Sequence, residues 1–341
     1  MLEPTHPSDN EDDLAHVAVA DIEAAAERVA AVARRTPLLE SAALSRRLRG
    51  KVLVKAEGLQ PVGSFKIRGA YNLISQLTPD VRRRGVVAFS SGNHAQAVAA
   101  VAARFGVPSV IVMPNDAPSA KIDGTRSHGA EIVFYDRARE DREAIARDLA
   151  LRRGATIVPP FDDPRIIAGQ GTVGLEIMED CERLGAVPDV VLVPCSGGGL
   201  VAGIATAVKA RWPAVEVFAC EPERYDDTAR SLAAGRRVGN DATTPSICDA
   251  LMVNTPGRLT FAINRRLLTG GIAIADRWVL AAMKAAAVDL KLVAEPGGAI
   301  GLAALLSGQM TLNGRTAVVV LSGANVEERL LADALTAPDP G

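Results

Sequence analysis

Short, nearly continuous apolar runs recur along this chain. Between them lie longer stretches in which apolar positions return every three or four residues. The runs are VLVKAE (52–57), VVAF (86–89), SVIVM (109–113), EIVFY (131–135), ATIVP (155–159), VVLVPC (190–195), VEVFAC (215–220) and TAVVVLS (316–322). Their β-branched character, unbroken by alternation with polar residues, predicts strands buried on both faces. The stretches 93–104, 139–152, 166–182, 200–211 and 277–290 read as helices. Strands alternating with helices predict an α/β fold of mostly parallel sheets covered by helices on both faces.

Ligands of such sheets bind at the carboxyl ends of the strands, so the residues that follow each strand carry the interest. VVAF leads into SSGNHAQA (90–97), VVLVP into CSGGGL (195–200), VEVFAC into EPERYDD (221–227) and TAVVV into LSGANV (321–326). These four loops, small-residue or acidic, are expected to wall one site.

Composition narrows the partners. The chain has 341 residues, enough for one large domain or two ordinary ones. Its formal net charge is −2 and it has no Lys/Arg-rich arm, which argues against nucleic acid. Cys181, Cys195, Cys220 and Cys248 are widely spaced, and His6, His16, His94 and His128 are scattered. A zinc cluster is therefore not expected, and reduced thiols in a cytoplasmic protein are. The acidic first twenty residues lack the regions of a signal peptide. No apolar run is long enough to span a membrane.

CSGGGL is a glycine-rich strand-to-helix turn. Its backbone N–H groups and the helix dipole behind them suit a phosphate, and three consecutive glycines exceed what a tight turn requires. Gly197, Gly199 and Ala202, with Glu221 about twenty residues further on, also satisfy a dinucleotide fingerprint. A nicotinamide-dependent oxidoreductase is therefore the rival reading, although its motif lies mid-chain and leaves GSFK (63–66) without a role. In SSGNHAQA, Ser91, Asn93 and His94 stand at a helix start, as caps or as the seat of a carboxylate. Glu221, Asp226 and Asp227 form a solvated acidic turn or a hard-cation site. Lys66, in GSFKIRGA (63–70), is a basic residue among small and aromatic neighbours. Near a phosphate cradle it suggests an amine made nucleophilic by burial. An aldehyde cofactor bearing a phosphate is pyridoxal phosphate. It needs a Schiff-base lysine, a phosphate cup and a partner for its ring nitrogen. Lys66, the glycine loop and Ser322 are candidates for these three.

Six motifs in order carry a resemblance: QPVGSFKIRGA (60–70), SSGNHAQA, PPFDDPRIIAGQGT (159–172), CSGGGL, AEPGGA (294–299) and LSGANV. Together they resemble the fold-type II, tryptophan-synthase-β-like pyridoxal-phosphate enzymes. Within these they are most similar to the threonine/serine dehydratases and serine racemase. The match runs from about Thr36 to about Val326. It implies two three-layer domains of open, twisted, mostly parallel sheet, with the cofactor in the cleft between them. The large domain would comprise residues 18–77 plus 161–334. A small mobile domain, 78–160, would close over substrate, with loose tails at 1–17 and 335–341. A homodimer or dimer-based tetramer is implied too.

The resemblance also assigns roles. Lys66 is the Schiff-base lysine and the base for the α-proton, with Phe65 packed beside the cofactor. Asn93 hydrogen-bonds the phenolic oxygen. Gly197, Gly198, Gly199 and Leu200 hold the phosphate. Glu295 lies at the cofactor, and Ser322 faces the ring nitrogen. A neutral hydroxyl there leaves that nitrogen largely unprotonated, which favours β-elimination over transamination. Ser91, Asn93 and His94 seat the substrate carboxylate. The implied activity is that of an L-threonine/L-serine dehydratase, releasing a 2-oxo acid and ammonium. Serine racemase and 3-hydroxyaspartate ammonia-lyase are the alternatives within the family. Ser91 aligns with the opposite-face acid/base of serine racemase, and EPERYDD resembles its divalent-cation site. Glu221, Asp227 and the carbonyl of Tyr225 are thereby implied as ligands of Mg or Ca. PFDDP, with Phe161, instead looks like the dehydratase branch. AEPGGA and the Ala324 of LSGANV depart slightly from the usual pattern. The chain ends soon after LSGANV, so no C-terminal regulatory domain is expected.

Overall fold

A computed structural model describes residues 16–90, 92–117, 119–137, 139–241, 244–338 and 340. Among these residues ten strands form two sheets: β1 (Leu38–Glu40), β2 (Lys51–Ala56), β3 (Val86–Phe89), β4 (Ser109–Pro114), β5 (Glu131–Tyr135), β6 (Thr156–Ile157), β7 (Val190–Pro194), β8 (Glu216–Pro222), β9 (Gly270–Ile274) and β10 (Thr316–Leu321). The larger sheet has the order β1-β2-β10-β7-β8-β9 and the smaller β5-β4-β3-β6. Every pairing is parallel except β1 with β2.

Strand alternation sends side chains into two apolar layers per sheet. Val190 and Leu192 of β7 face the helix Pro296–Leu306, with Val319 of β10 in the same core. Val191 and Val193 face the helices Pro164–Arg183 and Gly199–Arg211. The smaller sheet repeats the plan. Val86 and Ala88 pack toward the helix Asn93–Phe105, while Val87 and Phe89 pack toward the helix Arg142–Arg153. That last helix is capped by Asp141, which accepts from the amides of Glu143 and Ala144, and is stopped by Gly154 at φ +62°.

Two strands escape the apolar pattern. β1 is three residues long and half-exposed. β9 begins with Gly270 and Gly271, and a Cβ on Gly271 would lie 2.5 Å from that of Ala229. The helix beside β9 approaches so closely that the strand gives up its side chains there. Conversely, ATIVP yields only the two-residue β6. Parts of the expected loose tails belong to the fold. Val17 is buried with Ile167 and Leu259, because an apolar residue just before the first helix can dock on the core, and the last helix runs to Thr336. Residues 1–15 lie outside the described residues.

The helix Lys66–Ser75 joins the two halves. Ile67, Ala70, Leu73 and Ile74 share a core with the smaller sheet, while Arg68 points into the larger half. Among the described residues, no helix is long and apolar enough to cross a membrane.

Candidate active site

The turn before Lys66 is stitched to the end of β10. The Phe65 amide donates to the Ser322 carbonyl at 3.1 Å and the Ala324 amide to the Gly63 carbonyl at 2.8 Å; Ser64 and Gly323 form an isolated bridge. Two residues beyond Lys66, the wholly buried Arg68 guanidinium grips Glu57 through Nε (2.8 Å) and Nη2 (2.9 Å). It also reaches Glu176 at 2.7 and 2.9 Å, and Glu176 in turn accepts from Lys55 Nζ at 2.6 Å. Planar bidentate pairing of this kind fixes orientation. The lysine helix is thus anchored at its first turn by ions and at its start by backbone.

Lys66 is the first residue of its helix, and its Nζ donates to the Pro160 carbonyl at 2.6 Å, 5.1 Å from the centre of the Phe65 ring. Burial lowers its pKa from the usual 10.5 to about 8. Among the described residues no carboxylate forms an ion pair with this buried amine, so its neutral, nucleophilic form comes within reach near neutral pH.

The glycine loop ends β7 and opens the helix Gly199–Arg211, with Gly198 at φ +91°. A Cβ on Gly197 would strike the Phe161 ring, one on Gly198 would sit 2.6 Å from Asn264 Nδ2, and one on Gly199 2.6 Å from Gln170 Oε1. The loop is held from behind. Thr260 Oγ1 donates to the Gly197 carbonyl at 2.6 Å and Asn264 Nδ2 to the Gly198 carbonyl at 3.3 Å. With its carbonyls engaged and a helix start ahead, the loop's amides are left to serve an anion. The PFDDP run shapes the same wall. Phe161 packs on Gly197, Asp162 accepts from the amides of Arg258, Leu259 and Thr260, and Asp163 caps the helix Pro164–Arg183.

Across the cleft, Asn93 and His94 open the helix Asn93–Phe105. Asn93 Nδ2 donates to Glu295 Oε1 at 2.5 Å, and Asn93 Oδ1 accepts from Asn325 Nδ2 at 2.7 Å. Burial pushes the Glu295 carboxyl up to about 7, and its Oε2 has no partner. His94 Nε2 lies 2.8 Å from the Val158 carbonyl. A carbonyl only accepts, so Nε2 carries the hydrogen and the buried, unpartnered Nδ1 is an acceptor. Burial, then the charge of Lys66, lowers the His94 pKa to about 3. A neutral ring with a free acceptor suits a substrate donor better than the carboxylate expected of it. Ser91 lies outside the described residues.

Lys66, Phe65, Asn93, His94, Gly197, Gly198, Gly199, Leu200, Glu295 and Ser322 all line one cleft. Three of the four strand-end loops contribute, and EPERYDD does not. Sequence reasoning missed Lys121, Arg142 and Asp249, which line the same cleft; Lys121 pairs with Asp249 across it. Each reads as an ordinary surface charge, and no motif marks them. A Cβ on Gly92 would lie 3.6 Å from Lys121 Nζ, which places a cation at the SSGNH turn.

Glu221 and Asp227 are wholly buried away from the cleft. Glu221 accepts from the amides of Thr228 (3.0 Å) and Ala229 (2.8 Å), closing the start of the helix Asp227–Ala234. Those bonds and that position leave it no ribose to meet, which removes the dinucleotide reading. Asp227 Oδ1 accepts from Asn240 at 2.7 Å, and its Oδ2 has no partner. Burial raises both carboxyls, Asp227 to about 7, and Asp227 raises Glu221 further. Among the described residues no group of three or more His, Cys, Asp or Glu gathers in a metal-binding cluster. The Tyr225 hydroxyl donates outward to the Thr244 carbonyl at 3.3 Å, so only its backbone could join the pair.

The cleft fits pyridoxal phosphate on its own geometry: a buried amine at Lys66, a glycine loop whose carbonyls are engaged from behind and whose amides open a helix, and a hydroxyl at Ser322. Comparison with known proteins agrees. Residues 29–323 match the family model described as "Pyridoxal-phosphate dependent enzyme". The chain is 38% identical over 321 residues to the L-threo-3-hydroxyaspartate ammonia-lyase of Saccharomyces cerevisiae, covering 94% of this chain and 97% of that one. It is 37% identical to the serine racemase of Schizosaccharomyces pombe, over 90% and 94% of the two chains. A crystal structure of threonine deaminase from T.th. superposes with a TM-score of 0.85 at 41% identity, over 91% and 99% of the chains. With its parallel two-sheet fold, its cleft and these relatives, the chain belongs to the fold-type II pyridoxal-phosphate dependent enzymes and is a lyase of that family.

Proposed function

We propose that the protein is an ammonia-lyase for small β-hydroxy amino acids, with L-threonine and L-serine as substrates. The observation that carries this is the buried amine of Lys66 in one cleft with the glycine loop. When bound, pyridoxal phosphate supplies an aldehyde that captures an amino group and a conjugated ring that withdraws electrons from the α-carbon. The chain's own residues do the rest. The amides of Gly197–Leu200 receive the phosphate. Asn93 donates to the phenolic oxygen, and Ser322 offers the ring nitrogen a hydroxyl rather than a carboxylate. With the cofactor bound, Lys66 Nζ would be the amine that carries its aldehyde and, as a neutral amine, the base positioned for the substrate's α-proton. Loss of that proton and of the β-hydroxyl eliminates water, and hydrolysis then yields the 2-oxo acid and ammonium. Amides at the start of the helix Asn93–Phe105, with Lys121 beside them, seat the substrate carboxylate. His94 Nδ1 accepts from a substrate hydroxyl or ammonium.

A second reading, 3-hydroxyaspartate as substrate, is favoured by Lys121 and Arg142. Both cations line the cleft, Arg142 lying 5.7 Å from the centre of the Phe89 ring. A second substrate carboxylate would meet the Arg142 guanidinium, while Lys121 keeps Asp249 as its partner. A substrate panel separates the readings: 2-oxobutanoate from threonine, oxaloacetate from 3-hydroxyaspartate, D-serine from L-serine if Ser91 supports racemisation. Borohydride should fix the chromophore on the peptide containing Lys66. Turnover surviving in Lys66→Ala would defeat the mechanism.

The smaller sheet and its helices, residues 78–160, would act as the closing unit, and the Lys121–Asp249 pair spans the gap it closes. Glu221, Asp227 and the Tyr225 carbonyl would hold Mg or Ca, since two adjacent buried carboxylates call for a compensating cation. Exposed Val288 and Val293 supply apolar surface for a homodimer or dimer-based tetramer.

A further inference from the structure

The orientation of the Asn93 amide can be deduced from one acceptor. Asn325 Nδ2 donates to the Val62 carbonyl at 2.9 Å and to Asn93 Oδ1 at 2.7 Å. A backbone carbonyl cannot donate, so the Asn325 atom beside it is nitrogen, and both of its hydrogens are then committed. The Asn93 atom it meets must therefore be oxygen. Asn93 Nδ2 is turned to the other side, where one hydrogen goes to Glu295 Oε1 at 2.5 Å and the second stays uncommitted. Reversing the Asn93 amide would set nitrogen against nitrogen at Asn325 and oxygen against oxygen at Glu295. The contact at Asn325, whose two hydrogens are both committed, forbids the flip, and the ionised form of Glu295 opposes it as well.

The backbone makes room for this relay. Gly63, at φ +71°, stands where a Cβ would collide with Asn325 Oδ1. Gly323 stands where one would collide with Glu295 Oε1 and approach Asn93 Nδ2 to 3.2 Å. Both glycines belong to the turns zipped together beside Lys66, so the relay and the lysine share one scaffold.

We propose that Asn325 and Glu295 are positioning residues that lock Asn93 with an N–H, rather than an oxygen, presented to the cofactor's phenolic oxygen. This rests on the reading that Asn93 meets that oxygen. A donor there stabilises the oxygen in its ionised form, and an acceptor would repel it. Asn325 reaches the cofactor only through Asn93.

The test is a double-mutant cycle on purified protein, read by the visible absorption spectrum and the dissociation constant of pyridoxal phosphate, with thermal melting of the cofactor-free form as a fold check. Asn325→Asp cannot donate to Val62 or Asn93. It should raise the dissociation constant roughly tenfold, the loss of about one charge-assisted hydrogen bond, and move the absorption toward the near-ultraviolet. Asn325→Ala should do the same if the aspartate variant fails to fold. In an Asn93→Ala background either change should add nothing. Glu295→Gln keeps an acceptor oxygen and should retain the wild-type spectrum, whereas Glu295→Ala should not. Additive effects of the two asparagine changes would overturn the proposal, because Asn325 would then act by another route. An Asn93→Ala variant with unaltered spectrum and affinity would defeat the parent reading, and the relay with it.

Discussion

The amine of Lys66 sets how pH controls cofactor capture. Lowering its pKa from 10.5 to about 8 favours the neutral form by roughly 3 kcal/mol. The neutral fraction at pH 7 rises from about one in three thousand to about one in ten. Cofactor-free protein should be mixed with pyridoxal phosphate in a stopped-flow instrument between about pH 6 and about pH 10, and the growth of the yellow absorption followed. The initial rate should rise about fivefold from pH 7 to pH 8 and level off above about pH 9, as the amine becomes fully neutral. A rate still climbing tenfold per pH unit beyond pH 9, as for an ordinary alkylamine, would refute the reasoning. The native state resists protonation that the unfolded chain accepts, so the cofactor-free fold carries its full penalty below about pH 8 and sheds it as pH rises toward 10.5.

Other outcomes follow from the same geometry. Gly198→Ala forces a side chain into φ +91° and within 2.6 Å of Asn264, so equilibrium dialysis should show at least about tenfold weaker cofactor binding. Glu57→Gln removes one of the two carboxylates on buried Arg68; urea unfolding should show a loss of about 3 kcal/mol with little change in slope. If Glu221 and Asp227 hold a cation, EDTA should reduce turnover and Mg or Ca should restore it, whereas indifference to chelator would leave the pair as a helix cap sharing protons.

Much of the cleft is legible in sequence because its parts are local. A strand-end glycine loop, a helix-start asparagine and a lysine after Gly63-Ser64-Phe65 each declare themselves within a few residues, and all of them line the cleft. Glu221 shows where local reading stops. Its strand-end position suggested a place in the site wall, yet the fold turns it onto the amides of Thr228 and Ala229, away from the cleft. Lys121, Arg142 and Asp249 were illegible for the opposite reason. Nothing beside them in the chain distinguishes them from solvated charges, and only the packing of the smaller sheet against the larger half brings Lys121 to Asp249.

Periodicity and glycine placement determined the alternation of strand and helix, the class of fold and the presence of an anion-binding loop at a strand end, because these depend on neighbours in the chain. Tertiary structure decided the rest. It lowered the pKa of Lys66 by burying it beside Phe65 and Pro160, made His94 a neutral acceptor, and turned the amide of Asn93 through a carbonyl at Val62 and a side chain at Asn325. Protonation and amide polarity depend on solvent exclusion and on partners 64 to 263 positions away in the chain, and those exist only once the two sheets have closed around the cleft.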